Sequence, residues 1–109
     1  MTMTEFRRKL HPLVLLPLFM SCALAHGQTA QELQTRALAA TCANCHGTDG
    51  RTVPGAGNAR LAGQSSEFIV AQMQAFRSGA RPATVMHQLA KGYSDAQIRD
   101  LAAYFSAQR

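Results

Sequence analysis

The sequence predicts an all-α domain of three main helices and one short one, and three observations carry that prediction. Helix-start signatures of the capping-box type occur twice, at Thr29-Ala30-Gln31-Glu32 and at Ser94-Asp95-Ala96-Gln97. Apolar residues recur at helical spacing, most plainly at Ile98, Leu101, Ala102 and Phe105, which stand at i, i+3, i+4 and i+7. No strand-like run is visible between these stretches, and neither is an internal repeat or a low-complexity tract.

The start of the chain reads differently from the rest. Arg7, Arg8 and Lys9 precede an apolar run from Leu13 to Met20, and Ala23-Leu24-Ala25 then sets small residues where a signal peptidase reads. The run is broken by Pro17 and falls short of the roughly 20 apolar residues a membrane-spanning helix needs. Residues 1–25 are therefore expected to be a secretory signal and residues 26–109 the folded domain, with no stable membrane insertion. Arg7-Arg8 matches a twin-arginine signal only in part. Cys22 competes as a lipid-attachment cysteine, but Phe19 is unusual three places before such a residue and the A-x-A site offers a different cut.

With the leader go Arg7, Arg8, Lys9 and Glu5, which lowers the formal charge from +5 for all 109 residues to +3 for the remaining 84. Past the leader no two basic residues are adjacent, so nothing points to nucleic acid. A domain of 84 residues buries only a modest core, and chains of this size often need a staple or a cofactor.

The elements follow in order. A first helix opens at the Thr29 box, with Leu33, Ala37 and Ala40 expected on its inner stripe. It runs to Cys42-Ala43-Asn44-Cys45-His46, after which Gly47 to Asn58, with Pro54, Gly55 and Gly57 as breakers, reads as a loop. A second helix starts near Ser65 or Ser66, carries Ile69, Met73 and Phe76 on one face, and stops at Gly79. Arg81-Pro82 begins a connection containing Met86, and Gly92 closes a short turn or helix before the Ser94 box opens the last one.

The chemistry lies at the end of the first helix. Cys42 and Cys45 are the only cysteines after the leader, and C-x-x-C-H is the attachment signature of c-type haem. Thiols three residues apart share one helical face and can meet the two vinyl groups along one haem edge. His46 follows at once, so its imidazole can be offered to the iron while the thioethers hold the ring. Rival readings are a thioredoxin-like redox pair, which belongs after a strand in a βαβ pattern, a zinc half-site, which wants a fourth ligand, and a plain disulfide. For the opposite face of the iron Met73, Met86 and His87 compete, alongside an open site. Met73 sits between Ile69 and Phe76 in the helical pattern and reads as core. Met86 lies in the connection, where a loop can lay a thioether across the iron, and Met ligation favours the reduced state. An open site instead would suit peroxidase or gas-binding behaviour.

Four stretches together resemble the class I cytochromes c of bacterial periplasms. They are Cys42 to Gly50, Leu61-Ala62-Gly63-Gln64, Gln72 to Gly79, and Met86 to Phe105. Within that class, Met86 to Asp95 looks most like the cytochrome subunit of flavocytochrome sulfide dehydrogenase. The resemblance implies a small class I fold wrapped around one covalently bound haem c, with thioether links at Cys42 and Cys45, proximal ligand His46 and distal ligand Met86. It implies an electron carrier rather than an enzyme, located in the periplasm, with a redox protein as donor and another as acceptor. The partner could be a flavoprotein subunit, or the chain a free shuttle to a terminal oxidase or reductase. One departure stands out. The family's proline two residues before Leu-Ala-Gly-Gln, whose carbonyl accepts the proximal histidine's ring N–H, is replaced by Ala59. A backbone oxygen is still present there, but without proline's fixed φ.

Overall fold

A computed structural model describes residues 27–109. The expected leader, 1–25, and Cys22 lie outside the described residues. The described residues form four α-helices and no strand: α1 (Ala30–His46), α2 (Ser66–Ser78), α3 (Met86–Leu89) and α4 (Asp95–Ser106). Two short 3-10 turns, Thr48–Gly50 and Ala90–Gly92, follow α1 and α3. Three main helices and a short one are the architecture the sequence predicts.

Each main helix begins where its capping residue dictates. At α1 the Thr29 hydroxyl accepts from the Glu32 N–H at 3.2 Å while the Glu32 carboxylate accepts from the Thr29 N–H at 2.7 Å, closing the reciprocal box. Ser94 and Gln97 repeat the arrangement at α4, at 3.2 and 2.9 Å. Ser65 caps α2 through the Phe68 N–H at 3.2 Å, and Gly79 ends it in the left-handed conformation.

Helix α4 is the centre of the core. Ile98, Leu101, Ala102 and Phe105 are 1, 4, 0 and 2 % exposed, so the whole predicted stripe faces inward. Helices α1 and α2 both pack against it. Ala39 from α1 and Ile69 from α2 join Leu101, Ala102 and Phe105 in one buried cluster, with Met73, Leu38, Leu61 and Cys42 packed at its edge. Burying a side chain the size of Phe105 contributes about 1.5–3 kcal/mol. Met73 is half-buried and packs against this core, in keeping with its spacing.

The inner face of α1 differs from the expected one. Leu33, Ala37 and Ala40 are exposed, whereas Leu38, Ala39 and Cys42 turn inward. The run Ala37-Leu38-Ala39-Ala40 puts small apolar residues on several sides of the helix, so spacing alone does not set its rotation. What sets it is the close approach of α4, which a residue as small as Ala39 permits.

The end of α2 is tied to the start of α4 by one cation. The Arg77 guanidinium donates to the Gln74 side chain at 2.6 Å, to the Tyr93 carbonyl at 3.3 Å and to Asp95. Hydrogen bonding from Arg77 and then Gln74 holds the Asp95 carboxyl below its ordinary range. Asp95 also lies in the first turn of α4, where a negative charge is favoured. Helix α3, which begins at Met86, packs on α2.

Candidate haem-attachment site

Cys42, Cys45 and His46 occupy the last turns of α1. Their position at a helix C-terminus bears on what the thiols can do. Reactive thiolates are stabilised at helix N-termini, and the negative end of the dipole opposes them. Burial pushes the Cys42 thiol above its ordinary value, with a hydrogen bond involving Thr41 acting the other way. Neither feature suits a thioredoxin-like nucleophile, and the thiols are not joined to each other. No group of three or more His, Cys, Asp or Glu side chains able to hold a metal ion is found among the described residues.

The chain must leave His46 abruptly, and two glycines allow it. Gly47 has φ of 78°, and a Cβ there would lie 2.3 Å from the Arg51 carbonyl oxygen. Gly50 has φ of 75°, and its Cβ would fall 2.8 Å from the Leu61 side chain and 2.9 Å from the Phe105 ring. The glycine after the histidine is therefore a steric requirement. Asp49 between them takes the left-handed conformation at φ 53°. Its carboxylate accepts from the Tyr104 hydroxyl at 2.6 Å and from Arg51 at 3.1 Å. Those bonds, Tyr104's first, lower the Asp49 carboxyl, and the same contact raises the Tyr104 phenol.

The turn is stitched to the Leu61-Ala62-Gly63-Gln64 stretch. The Gly50 carbonyl accepts from the Leu61 and Ala62 N–H groups at 3.0 and 3.1 Å, and the Gly63 N–H donates to the Phe105 carbonyl at 3.0 Å. This stitching folds residues 51–60 into a loop that returns to the end of α1. The return delivers the Ala59 carbonyl to the His46 ring, 2.7 Å from Nδ1. Ala59 thus occupies the family proline's role as acceptor, and the fold rather than a fixed φ holds it there. A carbonyl can only accept, so Nδ1 carries the proton and Nε2 of the neutral ring keeps its lone pair for a metal. A hydrogen bond on the far nitrogen fixes ring orientation and raises ligand basicity.

Sequence reasoning missed Thr52. Its hydroxyl lies 3.0 Å from the Ala59 carbonyl oxygen and 3.1 Å from that of His46. A threonine in a glycine- and proline-bearing loop carries no signal of such a role, because the contact exists only once Ala59 has folded back. The Asp49–Tyr104 contact, between residues 55 apart, was equally out of reach.

Met86 is the first residue of α3 and is half-buried. Next to it, the Nδ1 atom of His87 is buried with no hydrogen-bond partner. Val85 and Leu89, on either side of the pair, are exposed.

An all-helical fold that ends its first helix in two thiols and a correctly protonated imidazole defines a protein built to hold haem covalently. The donor set fits that group: two thiols three residues apart on the last turns of α1, and a histidine with its outer nitrogen already committed. The comparisons carry this one step further. The family model for cytochrome c matches residues 30–108, and the chain belongs to that family as a class I cytochrome c, whose cofactor is covalently bound haem c. It is 46 % identical over 67 residues to cytochrome c-552 of Acidithiobacillus ferridurans, covering 61 % of this chain and 28 % of that one. It is 39 % identical over 71 residues to the cytochrome subunit of sulfide dehydrogenase from Chlorobaculum tepidum, covering 62 % and 60 %. Among solved structures, cytochrome c4 of Acidithiobacillus ferrooxidans matches with a TM-score of 0.64 and 34 % identity, over 73 % of this chain and 51 % of that one. The chain thus spans less than a third of the cytochrome c-552 and about half of the cytochrome c4. No helix among the described residues is long and apolar enough to cross a membrane.

Proposed function

We propose that this chain is a periplasmic electron carrier with one haem, exported by the leader 1–25 and working as the domain 26–109. Cys42 and Cys45 form the thioether links, His46 is the proximal ligand through Nε2, and Met86 is the distal ligand. When bound, the haem supplies a one-electron couple between ferric and ferrous iron. The protein's part is to hold both axial ligands through the cycle, so that little nuclear rearrangement accompanies electron transfer. His/Met ligation raises the reduction potential relative to two nitrogen ligands.

The observation that carries this reading is the 2.7 Å bond between His46 Nδ1 and the Ala59 carbonyl, two residues before Leu61-Ala62-Gly63-Gln64. It prepares Nε2 for the iron on the helix turn that presents both thiols. The test is spectroscopic. Ferric holoprotein should show the weak near-infrared charge-transfer band of Met–Fe(III) ligation, and Met86→Ala should abolish it. Persistence of the band in Met86→Ala, with its loss in Met73→Ala or His87→Ala, would overturn the ligand assignment. A high-spin ferric spectrum in the unaltered protein would favour an open-site haem protein instead.

Donor and acceptor are redox proteins. The likeness to a cytochrome subunit of sulfide dehydrogenase supports a second reading in which the donor is a flavoprotein subunit. Size-exclusion chromatography at native abundance separates the two. Co-elution with flavin absorbance supports the subunit, and elution as a lone polypeptide supports the free shuttle.

A further inference from the structure

We infer that Thr52 is a positioning residue that sets the donor strength of His46 and, through it, the reduction potential. The inference rests on His46 being the proximal ligand. Two donors converge on one acceptor: the His46 Nδ1–H at 2.7 Å and the Thr52 hydroxyl at 3.0 Å both point at the Ala59 carbonyl oxygen. The same hydroxyl lies 3.1 Å from the His46 carbonyl, the last of α1. Thr52 has a single proton to give, so it divides between the carbonyl of the ligand residue and the carbonyl that receives the ligand's ring proton.

Whenever the hydroxyl donates to Ala59, it draws electron density from an oxygen the imidazole also uses. Each of two donors sharing one acceptor weakens the other's bond. Thr52 therefore keeps the His46–Ala59 bond weaker than it would be alone. A weaker bond leaves the ring proton more firmly on Nδ1 and makes Nε2 the poorer donor to iron. A poorer donor stabilises the ferric state less and holds the potential higher. The loop holds the Ala59 carbonyl in place, and Thr52 is the side chain within that loop that donates to it.

The experiment compares holoprotein with Thr52→Val and Thr52→Ser. Valine keeps the branched shape and removes the proton, and serine keeps the proton. Potentiometric titration of the haem should show Thr52→Val shifted to a lower potential, with Thr52→Ser close to the unaltered protein. In ferrous protein the His46 Nδ1–H resonance should move downfield in Thr52→Val and exchange more slowly with solvent, as a strengthened hydrogen bond does. An unchanged or raised potential in Thr52→Val would overturn the inference, as would an equal shift in Thr52→Ser. The exchange rate distinguishes this from simple loosening of the loop, which would speed Nδ1–H exchange rather than slow it. If His46→Met leaves the spectrum and potential of the unaltered protein in place, the underlying ligand assignment fails, and the inference falls with it for that separate reason.

Discussion

Along α4, Ile98, Leu101, Ala102 and Phe105 are almost fully withdrawn from solvent against Ala39 and Ile69. Across residues 51–60 and 85–89 the protein does the opposite: Val53, Val85 and Leu89 stand 67, 47 and 49 % exposed. The two regions share one short chain but are stabilised differently. The first is a protein core of ordinary kind, in which helices cap themselves and pack a stripe. The second consists of a loop and a four-residue helix that packs against α2 while leaving Val85 and Leu89 exposed. The loop is tied back by hydrogen bonds: the Gly50 carbonyl accepts from the Leu61 and Ala62 N–H groups, and the Ala59 carbonyl accepts from the His46 ring N–H. The comparison teaches that one short chain can be stabilised by packing in one region and by a few polar ties in another, where its aliphatic side chains stay exposed.

The largest expected effect tests that division directly. Replacing both cysteines proposed to attach the haem, Cys42→Ala with Cys45→Ala, should leave a largely unfolded chain, because a domain this small buries only a modest core without the cofactor. Circular dichroism should show weak helicity and no cooperative melt. A native-like, cooperative melt would mean that the α1–α2–α4 core is sufficient, and the two regions would then be independent.

A smaller effect probes the frame alone. Phe105→Ala in the holoprotein should cost about 3–5 kcal/mol, as truncation of a buried aromatic does. The ring lies against Gly50, so the substitution also opens space beneath the turn that follows His46. The visible spectrum of the folded variant should nevertheless keep both axial ligands, since neither belongs to the core cluster. Loss of the Met–iron band in Phe105→Ala would show that the two regions are coupled more tightly than their packing suggests.

The smallest effect concerns the seam between them. The Tyr104 hydroxyl, and then Arg51, hold the Asp49 carboxyl below its ordinary value. A depressed carboxylate contributes stability that is fully present above its unfolded-state pKa and is lost as pH falls through the folded one. Asp49→Asn should therefore lower the neutral plateau of a urea-midpoint profile slightly and flatten its acid limb, with the two proteins converging below the ordinary carboxylate range. Asparagine tolerates the left-handed backbone at this position, so the substitution isolates the charge. An acid limb identical in both proteins would assign it to other groups, Asp95 with Arg77 first among them.

What could be read from the sequence by itself was what depends on neighbours along the chain. Capping at Thr29, Ser65 and Ser94 acts over three residues, the stripe of α4 over seven, and the Cys42–Cys45–His46 constellation over four. For each, helical geometry alone brings the groups together. Tertiary structure decided the rest. The inner face of α1 was set by where α4 lands, because alanines on several sides of a helix leave its rotation open. The acceptor for His46 was offered by the sequence only as a backbone oxygen without a fixed φ; the bonds from Gly50 to Leu61 and Ala62 bring it within 2.7 Å of the ring. Thr52 and the Asp49–Tyr104 contact left no local trace, since each depends on a loop closing on a distant partner. Loop closure is decided by the balance of contacts across the whole domain, and no short window of sequence contains that balance.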